Sequence, residues 1–222
     1  MKYLDKINNP KDLKKIPVGE LAEVCGELRK YIIDTINQIG GHLAPTLGTI
    51  ELTTAIHYVF DAPKDKIVWD TGHQAYAHKV LTGRFSEFPT IRKYKGLSGF
   101  LKRSESEYDI FGAGHASTSI SAALGIASAR NLNDDDYKVV SIIGDGALSG
   151  GLAFEALNNA GNVRKQLLVI VNDNDMSISP NLGAFRNYLV KIATNKKYNQ
   201  IRKWVYRSIK RFPSKFFVNI LR

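Results

Sequence analysis

The sequence predicts an α/β fold built on a doubly wound parallel sheet. Two observations carry that expectation. Tyr137 to Ile143 (YKVVSII) and Gln166 to Val171 (QLLVIV) are short apolar runs rich in β-branched residues, the pattern of strands buried on both faces. Between them, Gly150 to Ala160 is patterned as a helix, which completes a strand–helix–strand unit. Such crossovers have a fixed hand, so both strand ends reach the same edge of the sheet. Asp145 and Asn172-Asp173-Asn174 should therefore emerge side by side, where open α/β sheets bind ligands.

The remaining elements follow in order. Val18 to Ile39 has apolar residues at Leu21, Val24, Cys25, Leu28, Ile32 and Ile36, the spacing of an amphipathic helix that ends at Gly40-Gly41. Thr49 to Phe60 reads as a second helix, and Lys66 to Trp69 as a short strand ending at Asp70. Gln74 to Leu81 reads as a helix. Ser117 to Arg130 (STSISAALGIASAR) reads as a longer one, rich in small residues and suited to close packing. There is no internal repeat and no low-complexity stretch. Strands alternate with helices throughout, as a parallel sheet requires.

At 222 residues the chain can bury one good core, or one domain with an appendage. Its 44% hydrophobic and 23% charged content is that of a soluble globular protein. The single cysteine, Cys25, lies on an apolar helical face and is read as core, so neither a disulfide framework nor a cysteine-rich metal site is available. The start, MKYLDKINNP, lacks an apolar signal core and carries an acid, and no segment approaches a membrane span. The expected compartment is cytoplasmic. The net charge of +10 is unevenly placed. Eleven of the 31 basic residues and none of the 21 acidic ones lie in residues 181–222, which leaves 20 basic against 21 acidic in residues 1–180. Two segments are expected: a balanced α/β body over 1–180 and a basic carboxyl-terminal stretch over 181–222.

Gly144-Asp145-Gly146 sits where the first strand of the unit meets its helix, and Asn174 follows the next strand. A lone Gly-Asp-Gly is often only a turn. Here one carboxylate and one amide oxygen share a sheet edge with no second anionic ligand, which suits Mg²⁺, an ion that keeps positions open for phosphate and water. Glycines flanking Asp145 let backbone N–H groups come close to a diphosphate.

All five histidines fall between positions 42 and 115, and three follow a glycine in a loop before a helix: His42, His73 and His115. A single histidine is usually structural. Three presented alike suggest a shared cleft, where imidazole can contact phosphate or move protons near neutral pH. His57 and His78 lie inside helices and are read as structural. Zinc is the competing reading, but no histidine pair has chelating helical spacing.

Five segments carry a resemblance. Gly41 to Thr53 (GHLAPTLGTIELT), Trp69 to Arg84 (WDTGHQAYAHKVLTGR), Gly112 to Ser121 (GAGHASTSIS), Gly144 to Gly161 (GDGALSGGLAFEALNNAG) and Asn172 to Ser179 (NDNDMSIS) resemble the 1-deoxy-D-xylulose-5-phosphate synthase family of transketolase-like enzymes. The likeness runs from about residue 15 to 185. A plain transketolase would share the Gly-Asp-Gly and Asn ligands but not these histidine loops. The resemblance implies a thiamine-diphosphate-binding fold, here its diphosphate-binding domain in incomplete form. It implies thiamine diphosphate and Mg²⁺ as cofactors, with pyruvate and glyceraldehyde 3-phosphate as substrates. Their condensation with loss of CO₂ gives 1-deoxy-D-xylulose 5-phosphate, a precursor for isoprenoid, thiamine and pyridoxal biosynthesis. By the same resemblance Asp145 and Asn174 ligate Mg²⁺ with the Met176 carbonyl. Gly146 and Ala147 offer backbone contacts to the diphosphate, to which Asn174 also contributes. His73, Gly114, His115 and Ala116 line the cofactor site, and His42 and His73 are its catalytic histidines, His42 facing the substrate.

Members of that family are far longer and carry a pyrimidine-binding domain, with the glutamate that activates the cofactor, and a third domain. Glu51 and Glu155 lie in helical patterns and match no activating glutamate. The chain is therefore expected to be an amino-terminal part: a truncated product, one subunit of a split enzyme, or a partial sequence, inactive alone. A homodimer or a complementing chain is the implied assembly, without nucleic acid or membrane. A catalytically silent diphosphate–Mg²⁺-binding module is the alternative. In the basic stretch, Ile201, Trp204, Val205, Ile209 and Phe212 share one helical face, with Arg202, Lys203, Arg207, Lys210 and Arg211 around the rest. Packing of that face on other domain parts is one reading; a basic amphipathic helix on a membrane or nucleic acid is the other.

Overall fold

In the computed structural model, residues 1–163 and 166–173 are described. The expected ligands Asn174 and Met176, and the basic stretch 181–222, lie outside the described residues. Three strands, β1 (Lys66–Trp69), β2 (Val139–Gly144) and β3 (Leu168–Asn172), pair in parallel in the order β1-β2-β3. Every residue of β2 is buried, as its near-continuous apolar run requires of a central parallel strand.

Alternation along the strands sorts the core into two layers. Ile67 and Trp69 of β1 and Val140 and Ile142 of β2 share one face, packing with Ile56, Ala75 and Leu101. Val68 and Val139 share the other, covered by Ala123 and Ala127 of helix α6 (Ser119–Leu132). Helices on both faces bear out the doubly wound α/β expectation. A further cluster gathers Leu4, Leu13, Leu28, Ile32, Ile50, Tyr76 and Phe88, all fully buried. Each large apolar side chain buried this way contributes about 1.5–3 kcal/mol.

Helix α2 (Leu21–Ile39) buries Val24, Cys25, Leu28, Ile32 and Ile36, the predicted stripe. It begins three residues later than expected, after a 3₁₀ turn over Val18–Glu20 in which Val18 is 68% exposed. Burial pushes the Cys25 thiol up, in keeping with a core role. Helix α4 (Ile50–Val59) and helix α8 (Gly151–Val163) match their predicted spans closely.

The segment expected as a helix over Gln74 to Leu81 is helical, but of mixed type. A 3₁₀ turn at Gly72–Ala75 leads into a short α-helix, α5 (Tyr76–Lys79), and then a wide turn at Val80–Arg84. The break falls at Thr82 and Gly83. The Thr82 hydroxyl donates to the His78 carbonyl at 2.6 Å, and Gly83 has φ of 94°, where an added Cβ would lie 2.8 Å from the Asn8 carbonyl oxygen.

Candidate active site at the carboxyl edge of the sheet

The register aligns the strand ends. Trp69 stands opposite Ile142 and Gly144 opposite Asn172, so Asp70, Asp145 and Asn172-Asp173 leave the sheet along one edge. Asp145 opens a short helical turn, α7 (Asp145–Leu148), directly after β2. Asp145 and Ala147 are half-buried there and Gly146 is exposed.

The histidine loops converge on this edge. The rings of His42 and His73 stack with centroids 4.4 Å apart and planes 15° from parallel. One hydroxyl holds their loops together: Thr46 Oγ1 lies 2.8 Å from the His42 carbonyl and 2.6 Å from the His73 carbonyl, able to donate to either. Burial, then the neighbouring His42, lowers the His73 pKa below its usual value, which keeps the ring neutral at pH 7. The Gly72–His73 turn packs tightly against the loop that carries Gly114. A Cβ on Gly72 would fall 2.7 Å from Phe100 Cβ and 3.0 Å from the Ala113 carbonyl oxygen. Gly114, His115 and Ala116 are exposed, and Gly114 has open space where a side chain would be.

Two further contacts join these loops to the Gly144-Asp145-Gly146 turn. Gln74 reaches over β2, where a Cβ on Gly144 would meet its Nε2 at 3.3 Å. Ser117 Oγ donates to the Ala147 carbonyl at 2.6 Å. The structure thus brings His42, His73, the Gly114–Ala116 loop and Asp145–Ala147 to one edge. His57 and His78 lie elsewhere: both are fully buried, with His57 Nε2 2.9 Å from His78 Nδ1.

Thr46, Gln74 and Ser117 belong to this edge and carry no role in the sequence reading, where Asp70 and Asn172 stand only as strand ends. A carboxylate directly at a parallel strand end was the available signal for Asp70, and an amide at the next strand end for Asn172. Thr46 and Gln74 gave no signal, because the contacts that tie them to the site, Thr46 to the His73 carbonyl and Thr49 to the Gln74 carbonyl, join residues 27 and 25 apart.

The edge has the chemistry of a polar ligand site. Among the described residues, Gln74 Oε1 and Asn172 Nδ2 are buried without a hydrogen-bond partner, an acceptor and a donor that a ligand or its water could meet. Among the described residues no cluster of three or more His, Cys, Asp or Glu could hold a metal. Among the described residues no helix is long and apolar enough to cross a membrane.

Comparison with known proteins gives the same direction. The family model described as 1-deoxy-D-xylulose-5-phosphate synthase matches residues 4–221. The chain is 58% identical over 210 residues to the 1-deoxy-D-xylulose-5-phosphate synthase of Carboxydothermus hydrogenoformans, covering 95% of this chain and 34% of that protein. The enzyme of the same name from Thermomicrobium roseum is 55% identical over 212 residues, with 95% and 34% covered. That of Chlorobaculum tepidum is 55% identical over 206 residues, with 93% and 32% covered. The chain spans about a third of the length of these relatives. It corresponds to their amino-terminal part and belongs to the 1-deoxy-D-xylulose-5-phosphate synthase family of transketolase-type transferases.

Proposed function

We propose that this chain provides the diphosphate- and Mg²⁺-binding part of a thiamine-diphosphate-dependent synthase that condenses pyruvate with glyceraldehyde 3-phosphate to 1-deoxy-D-xylulose 5-phosphate and CO₂. The observation that carries the reading is the convergence of the His42, His73, Gly114–Ala116 and Asp145–Ala147 segments on one sheet edge, with Thr46, Gln74 and Ser117 joining them. When bound, thiamine diphosphate supplies the electron sink that lets pyruvate lose CO₂ and its two-carbon remainder be transferred.

The residues divide the work by position. Asp145 is the anionic metal ligand, with Asn174 and the Met176 carbonyl completing the set. Gly146 and Ala147 offer backbone N–H groups to the diphosphate, and His73 and Gly114–Ala116 line the cofactor. His73, held neutral, can hydrogen-bond without adding charge. His42 is exposed beside it and takes the substrate side, where its ring nitrogens can accept or return a proton. Residues 1–180 form the cofactor-binding domain in this reading, and 181–222 a separate basic segment. The assembled enzyme is a cytoplasmic homodimer or a complex with a complementing chain, and it serves isoprenoid, thiamine and pyridoxal synthesis.

A product assay tests the proposal. The 222-residue chain is incubated with pyruvate, glyceraldehyde 3-phosphate, thiamine diphosphate and Mg²⁺, with and without a chain carrying the family's pyrimidine-binding and third domains. Product is expected only from the mixture. Product from the 222 residues alone would overturn the division of labour. Absence of both product and cofactor binding in the mixture would favour a catalytically silent module.

A further inference from the structure

Three segments that are distant in sequence meet at Ser117. Asp70, at the end of β1, is 1% exposed, and its carboxylate accepts from two backbone amides of the loop entering α6. Ser117 N–H donates to Oδ2 at 2.7 Å and Ser119 N–H to Oδ1 at 2.9 Å. Charge-assisted bonds of this kind are the strong ones. They hold Ser117 at φ of 70°, a left-handed conformation that residues with side chains rarely take. From there Ser117 Oγ donates to the Ala147 carbonyl, just past β2. The start of α8 has been left open for this side chain: a Cβ at Gly150 would collide with Ser117 Oγ and come within 2.8 Å of its Cβ. Behind the loop, the buried Ser119 and Ser141 hydroxyls lie 3.0 Å apart and pin the first turn of α6 to β2.

We propose that Ser117 is a positioning residue for the diphosphate end of the cofactor site, with Asp70 as its anchor; the role rests on the functional reading above. Ser117 follows directly on Gly114-His115-Ala116 and bonds the turn that contains Gly146 and Ala147. It is the direct link between two backbone segments that must both be correctly set to receive one diphosphate. The strained φ is the cost of placing the hydroxyl there, and Asp70 holds the loop in that state.

The test compares Ser117→Ala, Asp70→Asn and wild type in the holoenzyme containing this chain. Melting temperature is measured with and without thiamine diphosphate and Mg²⁺, together with steady-state kinetics over cofactor concentration. Ser117→Ala is expected to raise the KM for thiamine diphosphate about tenfold, the scale of one lost hydrogen bond. Turnover at saturating cofactor should stay within twofold, and the melting shift on adding cofactor should shrink. Asp70→Asn, which cannot accept both amides, should share the phenotype. A cofactor KM within twofold of wild type in Ser117→Ala, or a loss confined to turnover, would overturn the proposal. A wild-type enzyme whose melting is unmoved by cofactor would overturn the functional reading itself, and this inference with it. The geometry has its own check. Gly150→Ala should lower the melting temperature in wild type and much less in a Ser117→Gly background, where the colliding atoms are gone. Equal losses in both backgrounds would show that the two residues do not meet.

Discussion

Arg84 grips Asp109 through two parallel contacts, Nη2 to Oδ1 at 2.8 Å and Nη1 to Oδ2 at 2.9 Å, with both residues almost wholly buried. Arg84 closes the turn that follows α5, and Asp109 lies in the loop leading to Gly114. The pair does not stand alone. Arg84 Nη1 also reaches Glu105 at 2.9 Å, buried Lys79 pairs with Glu105, and His78 Nε2 lies 3.3 Å from Asp109 Oδ1. Asp109 also accepts from the Lys102 amide at 2.9 Å, and Glu105 from the Ser98 amide at 2.7 Å. The cluster therefore staples the loop of residues 85–116 to α5 and the turn after it.

Breaking the staple should be costly. Burial alone would raise the Asp109 pKa, but hydrogen bonds from His78 and Arg84 bring it well below the usual carboxylate value. Asp109→Ala removes both of the paired contacts and leaves the buried Arg84 guanidinium with Glu105 as its remaining carboxylate, a change expected to remove about 3–5 kcal/mol of stability. Arg84→Lys, with Asp109 intact, should also be destabilising, because a point charge cannot match a two-oxygen grip. Denaturant unfolding checks both, and a loss of under about 1 kcal/mol for Asp109→Ala would contradict the role assigned to the cluster.

Stability should fall as the solution is acidified from pH 7.5 to 5.5. Burial lowers the pKa of both His57 and His78, with each further affected by its charged neighbours; for His57 these are His78, Arg84 and Lys14. Between the lowered native values and the ordinary value of about 6.5, the unfolded chain binds protons that the folded chain does not. Stability from these groups is thus present above about pH 6.5 and is lost as pH drops through that window. Melting curves across this range should show the decline. His57→Gln should flatten it, since the variant has nothing to protonate at that buried position.

Local pattern and long-range contact divided what could be read in advance. β2 and β3 were legible because β-branched apolar runs have few other uses, and parallel pairing then fixed which loops share an edge. The α2 stripe was legible from its spacing. The end of the helix at Leu81, just before the break at Thr82-Gly83, was legible too, but its mixed 3₁₀, α and wide-turn course and the approach of Gly83 to the distant Asn8 carbonyl were not. Asp70 was visible as a strand-end acid, but its partners Ser117 and Ser119 lie 47 and 49 residues on, and no local pattern announces such a bond. His57 and His78 were legible as structural residues. The ion cluster around them was not, since Lys79, Arg84, Glu105 and Asp109 look in sequence like ordinary surface charges.

His42→Ala and His73→Ala should differ in kind although their rings stack. His73 is half-buried and packed beside the Gly114 loop, so its loss should weaken thiamine diphosphate binding. His42 is exposed at the same edge, so its loss should lower turnover at saturating cofactor. Steady-state kinetics on the assembled enzyme separates the two. If both variants kept turnover and cofactor affinity within about twofold, a change of under ~0.5 kcal/mol, the shared cleft would have no catalytic meaning.

Asp145→Ala should abolish Mg²⁺-dependent binding of thiamine diphosphate. Asp145 follows β2 directly, and Gly144 stands in register with Asn172 of β3, so Asp145 leaves the sheet at the strand end where the metal–diphosphate site is proposed. It is the sole anionic side chain in the proposed ligand set, and Mg²⁺ bound through one amide and one carbonyl would lose most of the charge that holds it. Asp145→Asn keeps the shape and one oxygen ligand, so it should retain weak binding that recovers as Mg²⁺ is raised. Calorimetry with thiamine diphosphate over a series of Mg²⁺ concentrations distinguishes the three proteins. The expected order is wild type, then Asn, then Ala, with the Ala variant insensitive to Mg²⁺. Equal Mg²⁺-dependent affinity in wild type and Asp145→Ala would remove the metal from this edge of the sheet.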